Sequence, residues 1–105
     1  MLLFKKKFLA MIASGAKRQT VRVWPRRRLR AGQVEFVPGL GRIRVTAFEP
    51  VRLADLTEED AVLDGFASRA ALLEELRSLY GERLESIPCF RIRFFYPLEE
   101  SPSGG

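Results

Sequence analysis

The hydrophobic pattern of the chain changes period at Gly15, and this change limits the folds open to it. Upstream, apolar residues recur at the spacing of one helical face: Phe4, Phe8, Leu9 and Ile12. Downstream, residues 20–24 alternate apolar and polar as a strand does. Gly15 suits the left-handed residue that ends a helix. A helix is therefore expected to lead directly into a strand, with Lys17, Thr20 and Arg22 close to the junction.

Alternating apolar residues predict three further strands, at residues 33–37, 42–48 and 89–96. The apolar positions of the strands are expected to share one face: Val21, Val23, Ile43, Val45, Phe90 and Ile92. The opposite face would be rich in arginine, with Arg22, Arg42, Arg44, Arg91 and Arg93. This pattern indicates a small curved sheet that tends to close as a β-barrel to remove its edges. An open α+β sandwich is the alternative.

Two more helices are predicted between the third and fourth strands. Thr57 is placed to cap a short helix over residues 58–64, with carboxylates in its first turn. Ser68 is placed to cap a longer helix that ends at Gly81, and its apolar face comprises Leu72, Leu73, Leu76, Leu79 and Tyr80. The fold class is therefore predicted to be α+β, a small barrel with flanking helices.

Length and composition favour one domain. A chain of 105 residues that is 47% hydrophobic can bury a modest single core. We expect this domain over residues 1–98 and a disordered tail over residues 99–105, which are rich in Ser, Gly and acidic residues. No apolar run approaches the ~20 residues that span a bilayer, so no membrane partner is expected.

The residue inventory excludes several kinds of chemistry. The chain has no His and a single Cys, which rules out Ser-His and Cys-His pairs and the common zinc clusters. We therefore expect no metal and no cofactor. Cys89 is interpreted as a small packing residue, and a lone Cys favours a reducing, cytoplasmic location. Any catalysis would have to use Lys, Thr, Ser, Tyr, Asp or Glu.

Charge is distributed unevenly along the chain. Residues 1–54 hold 13 Lys and Arg against 2 acidic residues, a net charge of +11, whereas residues 55–105 hold 5 against 11, a net charge of −6. The densest basic run comprises Arg26, Arg27, Arg28 and Arg30. A basic half of this density favours contact with phosphate, as in RNA or a nucleotide. A solvated loop balanced by the acidic half is the alternative. Trp24, beside the run, is interpreted either as a core residue or as a surface on which a base stacks.

Residues 15–22, 31–34, 55–66 and 90–94 are four segments that together resemble the ASCH domain family (the activating-signal-cointegrator homology domain). Residues 15–22 resemble its G-x-K-x-x-T-x-R signature, and residues 55–66 resemble the D-L-T-x-x-x-A-x-x-[DE]-G-F segment of bacterial members. Residues 31–34 resemble the G-D-x-V entry to the second strand, with Gln33 replacing the usual Asp. Residues 90–94 resemble the closing strand. The resemblance covers the chain from Phe4 to Phe95.

This resemblance implies a PUA-like fold, with a cleft beside the helix-to-strand junction and RNA or a modified nucleoside as its partner. Some small bacterial ASCH proteins are amidohydrolases that remove the acetyl group from N4-acetylcytidine, and some are said to be ribonucleases. Carried over by position, the amidohydrolase residues are Lys17, Thr20 and Asp64. The amidohydrolases carry Glu in the third place, one methylene longer than Asp.

The chemistry of this trio depends on the protonation of Lys17. Like charges at Arg18 and Arg22 would lower its pKa, and Asp64 would raise it. A neutral amine can take the proton of Thr20, whereas an ammonium holds a phosphate or a base carbonyl. In that second case Asp64 accepts from an exocyclic amine. Structural roles at a helix end, in a strand and before a turn glycine are the alternatives.

We therefore predict an RNA- or nucleoside-binding domain, with an N4-acetylcytidine-type amidohydrolase or a ribonuclease as the alternative. The predicted ligand site comprises Lys17, Arg18, Thr20, Arg22, Trp24, Arg26, Arg27, Arg28 and Asp64.

Overall fold

A computed structural model describes residues 1–96 of the chain. The helices are α1 (Lys6–Ser14), α2 (Glu58–Leu63) and α3 (Arg69–Tyr80). The strands are β1 (Gln19–Val23), β2 (Val34–Val37), β3 (Gly41–Val51) and β4 (Cys89–Phe95). Short 3₁₀ turns lie at Leu53–Asp55 and Gly81–Glu85. The predicted domain boundary at residue 98 and the predicted tail over residues 99–105 lie outside the described residues.

The helix boundaries follow from the residues that the sequence marks as caps. Gly15 adopts a left-handed conformation with φ of 87°, and its N–H donates to Ile12 O at the end of α1. Thr57 and Asp60 form a reciprocal capping box at the start of α2. The Ser68 hydroxyl accepts from the N–H of Ala71 at the start of α3. The three predicted caps are confirmed, although α2 ends at Leu63 and leaves Asp64 as its C-terminal cap.

The four strands form one antiparallel sheet in the order β1-β4-β3-β2, curved as a half-barrel. A register shift between Val45 and Ala47 interrupts the pairing of β3 with β4, and such shifts bend a strand. The N-terminal segment also joins the sheet, because Leu2 N–H donates to Phe36 O on the edge strand β2 at 2.9 Å. The predicted α+β class, with a curved sheet and flanking helices, is confirmed.

The sheet separates two apolar clusters. The first lies on its inner face, beneath α1, and includes Ile12, Val37, Ile43, Val45, Phe48, Phe90, Ile92 and Phe94. The second lies on the outer face at β1, beneath α2 and α3, and comprises Val21, Val23, Leu56, Ala61, Leu72, Leu76, Leu84 and Cys89.

The predicted face of β1 is wrong. Val21 and Val23 were expected beside Ile43 and Phe90, but they pair across the sheet with Arg91 and Cys89 and so point to the outer face. Arg22 consequently points inward, opposite Phe90, instead of joining the other arginines outside. The physical reason is that α2 and α3 cover the outer side of β1, so that both faces of this strand are buried and alternation alone does not identify the inner one.

Candidate functional site

A cavity of about 330 Å³ opens between α1, α3 and the edge strand β1. Its walls are mainly apolar and include Phe4, Phe8, Phe66, Leu72, Leu76 and Leu79. Its polar groups come from Lys5, Lys17, Thr20, Arg22, Asp64, Glu75 and Tyr80. An apolar hollow with a few convergent polar groups is the usual form of a small-molecule site.

Two backbone hydrogen bonds position Lys17, one to the end of α1 and one, from the next residue, to the end of α2. The N–H of Lys17 donates to Met11 O at 3.0 Å, and the N–H of Arg18 donates to Leu63 O at 2.8 Å. Because Asp64 follows Leu63, its carboxylate lies beside the side chain of Lys17 although 47 residues separate them in the sequence.

Lys17 and Asp64 form a buried ion pair on the wall of the cavity. Lys17 is 2% exposed and Asp64 is 3% exposed. The Lys17 ammonium donates to Asp64 Oδ1 and, at 2.5 Å, to the backbone oxygen of the same residue. Three aromatic rings surround the nitrogen, which lies 4.5 Å from the ring centroid of Phe8, 5.7 Å from that of Phe4 and 5.9 Å from that of Phe66. These contacts stabilise a cation where water is scarce.

Burial moves the two pKa values of this pair toward each other. It lowers the pKa of Lys17 and raises the pKa of Asp64, because each charged form loses water. The pairing itself opposes both shifts without reversing them. The charged pair (ammonium and carboxylate) and the neutral pair (amine and carboxylic acid) are therefore closer in free energy here than in water. Transfer of the proton from Lys17 to Asp64 consequently costs less free energy than it does in water.

The second carboxylate oxygen of Asp64 lacks a full hydrogen bond. Within residues 1–96, Oδ2 is buried and has no partner in hydrogen-bonding geometry. The backbone N–H of Val21 lies near enough to lower the Asp64 pKa, but it is the weakest of the influences on this group. A buried acceptor left without a full hydrogen bond costs about 1–3 kcal/mol.

Thr20 and Arg22 extend the polar part of the cavity along β1. Thr20 is 5% exposed, and its Oγ1 accepts from Arg22 Nε at 3.1 Å. The Arg22 guanidinium also donates from Nη2 to Leu3 O at 2.6 Å and lies 4.9 Å from the centroid of the Phe4 ring. Burial lowers the pKa of Arg22. Because Thr20 accepts from Arg22, its own O–H remains available to donate into the cavity.

The structure brings together four of the nine predicted site residues, namely Lys17, Thr20, Arg22 and Asp64, which all line the cavity. Arg18 is exposed and lines a separate hollow of about 90 Å³ on another side of Lys17. Within the described chain, the hydrogen bonds of the Lys17 ammonium go to Asp64 and none goes to Thr20.

Trp24 and the arginine run lie away from the cavity, beyond the far end of β1. The Trp24 ring stacks on Phe48, with centroids 6.0 Å apart and an interplanar angle of 21°. Arg28 lies 5.1 Å from the Trp24 ring centroid, and Arg27 lies 4.9 Å from that of Phe48. Arg26 is exposed in the same loop. Trp24 is half-buried against the inner cluster, which fits the core interpretation.

Sequence reasoning missed the aromatic walls and the mouth of the cavity. Phe4 and Phe8 were interpreted only as a helical stripe, and Phe66 only as part of a motif. Lys5 and Glu75 form an ion pair of 2.7 Å between the segment before α1 and α3, beside the mouth. The position of Phe66, two residues after Asp64, was the available signal, because a residue following a turn glycine stays near the acid before it.

Asp60, one turn before Asp64, belongs to a separate polar cluster. Arg91 Nη1 donates to both oxygens of its carboxylate, at 3.0 and 3.1 Å. The carboxylate also accepts from Gln19 Nε2 at 3.1 Å and from the N–H of Thr57 at 2.9 Å. Burial would raise its pKa, but these hydrogen bonds and the Arg91 charge together hold the pKa below its usual value. Gln19 in turn accepts from Arg93 Nε at 3.2 Å. This cluster fixes α2 on the outer face of the sheet.

Two other features bear on the class of protein. Over residues 1–96, no helix combines the length and apolar character needed to cross a bilayer. In the same part of the chain, no group of three or more Cys, Asp or Glu side chains is arranged to hold a metal ion.

Comparison with solved structures identifies the fold. The chain is similar to the hypothetical protein PH0355, with a TM-score of 0.75 and 17% identity over 88% of this chain and 93% of that one. It is also similar to an ASCH domain from Lactobacillus crispatus JV V101, with a TM-score of 0.69 and 16% identity over 82% of this chain and 67% of that one. Protein EF3133 from Enterococcus faecalis V583 aligns with a TM-score of 0.59 and 16% identity over 90% of this chain and 76% of that one.

Neither the protein-family models nor the curated proteins compared with the sequence give a match. At identities of 16–17% the structural likeness establishes the fold. The chain therefore has an ASCH-like fold, as the resemblance of its motifs implied.

Proposed function

We propose that this chain binds RNA or a free nucleoside by enclosing a single base, modified or not, in the cavity beside Lys17 and Asp64. The observation that carries the proposal is the combination of an open aromatic hollow with a buried ion pair whose second carboxylate oxygen lacks a full hydrogen bond. The ASCH-like fold supports nucleic-acid binding, since that is what the resemblance of the motifs implies.

The size and walls of the cavity suit one nucleoside. A volume of about 330 Å³ lies at the lower end of the ~300–1,000 Å³ typical of small-molecule sites. Stacking of a base on an aromatic side chain contributes about 1–3 kcal/mol. Phe4, Phe8 and Phe66 supply such surfaces around the polar groups. An RNA strand would fit only if one base left its stack and entered the cavity, as in enzymes that flip bases.

The polar groups match the edge of a base. An ammonium has three N–H donors, and two of those on Lys17 go to Asp64, which leaves one for a carbonyl or ring nitrogen. Asp64 Oδ2 is buried, so it would accept from an exocyclic amine or ring N–H after a small movement of the side chains that cover it. The Thr20 hydroxyl supplies another donor. The Watson–Crick edge of a base presents an acceptor next to a donor, and a donor next to an acceptor in the cavity complements it.

The energetic cost of the ion pair also favours a ligand role. Removing two charges from water costs several kcal/mol per ion, and replacing a buried pair by apolar side chains is often neutral or stabilising. An arrangement that fold stability alone does not require is expected where a ligand uses it.

Thermal unfolding with added nucleosides tests this proposal. A ligand that binds the folded chain raises its Tm, by an amount set by about RT ln(1 + [L]/Kd). We expect at least one of cytidine, N4-acetylcytidine, uridine, adenosine and guanosine, at millimolar concentration, to raise the Tm of the wild type. Asp64→Asn keeps an oxygen for Lys17 but replaces the second oxygen by an NH2 donor, and is therefore expected to abolish the shift. Asp55→Asn is the matched control, because Asp55 is 53% exposed and lies outside the cavity. A panel that leaves the wild-type Tm unchanged would contradict the proposal.

A second candidate function is hydrolysis of an acylated base amine such as N4-acetylcytidine. It is favoured by the lowered pKa of Lys17, together with the Thr20 hydroxyl held by Arg22. Thr20 Oγ would attack the acyl carbonyl as its proton passes to a base. The C–N bond would break as the amine takes up a proton, and water would then release the acid from the acyl-threonine. Lys17 is that base only after its proton has passed to Asp64.

Chromatography of N4-acetylcytidine incubated with the pure chain distinguishes the two functions. Catalysis predicts release of cytidine, lost in Thr20→Val and in Lys17→Met, because these changes remove the nucleophile and the base. Binding without release of cytidine supports the first function alone. Thr20→Val is close in shape to the wild type, so a loss of turnover with an unchanged Tm would separate chemistry from folding.

A further inference from the structure

The outer face of the sheet away from the helices carries an unusual set of exposed side chains. Helices α2 and α3 cover this face at β1, but the outward side chains of β2, β3 and the end of β4 reach solvent. We call the following six the outer patch: Val34, Phe36, Arg42, Arg44, Arg93 and Phe95. None of them lines the 330 Å³ cavity.

The register of the sheet makes the patch continuous. Val34 pairs with Arg44, which pairs with Phe95, so these three form one row across β2, β3 and β4. Phe36 pairs with Arg42 in the neighbouring row. Across the strands, arginine therefore alternates with apolar side chains.

The two phenylalanines are not part of either core. Phe36 is 53% exposed and Phe95 is 59% exposed, whereas their inward neighbours Val37 and Phe94 are buried. The solvent face of an antiparallel sheet is ordinarily polar. Two exposed aromatic rings on one such face call for a partner with flat apolar surfaces.

The charge of the patch is positive. Arg44 donates one N–H to Gly32 O at 2.7 Å, and Arg93 donates from Nε to Gln19 Oε1 at 3.2 Å, so that the rest of each guanidinium faces solvent. The acid on the same face of β3, Glu49, is paired with Arg91 at 3.1 Å. A second copy of the chain would bring arginines against arginines, because a two-fold contact joins identical surfaces. Charge complementarity favours a polyanion instead.

We propose that the outer patch binds single-stranded nucleic acid, with Phe36 and Phe95 stacking on two bases and Arg44 and Arg93 contacting phosphates. Flat bases joined by phosphates supply both the stacking surfaces and the negative charge that the patch complements. The two rings lie in neighbouring rows on strands that are about 10 Å apart, so the bases they hold are not stacked on each other. Sheet surfaces with outward aromatic side chains bind splayed bases in this way.

Fluorescence anisotropy with a labelled ten-nucleotide oligouridylate tests the proposal. The double variant Phe36→Ala with Phe95→Ala is expected to bind about 100-fold more weakly, which is about tenfold for each stacked base. Arg44→Gln is expected to weaken binding and to reduce the slope of log affinity against log salt by about 0.7. Val62→Ala is the matched control, because Val62 is a 59% exposed apolar residue on α2, away from the patch.

Two results would overturn the proposal. The first is wild-type affinity in the double variant, with folding checked by circular dichroism. The second is a dimer in sedimentation that the same double variant dissolves, which would show a second copy as the occupant. The Asp64→Asn variant keeps the test independent of the cavity, because it removes nucleoside binding and is expected to leave most of the affinity for the oligonucleotide unchanged.

Discussion

Asp60 and Asp64 lie one helical turn apart and both have almost no surface exposed to solvent, yet the pKa of the first is lowered and that of the second is raised. The Asp60 carboxylate accepts from Thr57, Gln19 and Arg91, and both of its oxygens are used. The Asp64 carboxylate accepts from Lys17 at Oδ1, whereas its Oδ2 has no partner in hydrogen-bonding geometry within residues 1–96. The pKa of Asp60 is lowered and that of Asp64 is raised.

The difference separates a structural charge from one that is available to a ligand. A carboxylate whose hydrogen bonds are complete stabilises the folded state and offers nothing to a partner. A carboxylate that is desolvated and incompletely bonded costs stability, and a ligand with an N–H donor recovers that cost. Both residues come from one short segment, so secondary structure does not distinguish them. The loss of water around each carboxylate and the number of donors that reach it do.

Replacement of Asp60 by alanine is expected to have the largest effect on stability. It removes the capping box of α2 and leaves Arg91, which is 22% exposed, without its main partner. We expect the free energy of unfolding to fall by about 3 kcal/mol, from the lost ion pair and the lost cap together. Urea unfolding measures this. Asp55→Ala is the control, because its ion pair with Arg52 is exposed and is expected to contribute about 0.5 kcal/mol or less. Equal losses of unfolding free energy in Asp60→Ala and Asp55→Ala would contradict a structural role for Asp60.

Replacement of the Lys17–Asp64 pair by apolar residues is expected to have the opposite sign. The double variant Lys17→Met with Asp64→Leu is expected to be as stable as the wild type, or more stable by about 1–3 kcal/mol, because it removes two buried charges. The single variant Lys17→Met leaves the carboxylate buried and unpaired and is expected to be less stable than the double variant. Urea unfolding of the three proteins gives the order. A double variant that loses stability as Asp60→Ala does would show that the pair is structural.

Much of the fold could be predicted from local signals. Gly15, Thr57 and Ser68 each mark a helix end by backbone chemistry that acts within a few residues, and all three lie where the sequence indicated. The face of β1 could not be predicted in this way. Its two sides are buried by elements distant in the sequence, α1 on one and α2 with α3 on the other, so its alternation of side chains carries no signal of direction.

Some residues of the predicted site lie together in the structure and others do not. The resemblance to the ASCH family implied Lys17, Thr20 and Asp64 as one group, and a backbone hydrogen bond from Arg18 to Leu63 joins the two segments that carry them. The arginine run could not be located from its charge. Trp24 begins where β1 ends, at the opposite end of the strand from Lys17, and the following arginines pack on Trp24 and Phe48. Although Trp24 and the arginine run are close to Lys17 in the sequence, they lie far from the cavity, because the extended strand β1 separates them from Lys17.

The smallest expected effect is a difference in titration. Carbon-detected NMR of the aspartate carboxyls is expected to give a midpoint below 3.8 for Asp60 and above 3.8 for Asp64. Because the folded pKa of Asp60 is depressed, its stabilisation is present above about pH 3.8 and is lost as the pH falls through the folded value. Because the folded pKa of Asp64 is raised, its ionisation costs stability above that value, and the cost disappears as the pH falls toward 3.8.

The ionisation of Lys17 also changes the stability with pH. Its folded pKa is lowered, so the buried ammonium costs stability below that value, and the cost is relieved as the pH rises toward 10.5. Both costs of the pair therefore occur together within the range from pH 3.8 to 10.5, in which Asp60 is stabilising. A bound base that donates to Asp64 Oδ2 favours the carboxylate and is expected to lower the Asp64 midpoint while leaving that of Asp60 unchanged. Two carboxyls that titrate together below pH 3.8, with or without nucleoside, would show that Asp64 is as well satisfied as Asp60.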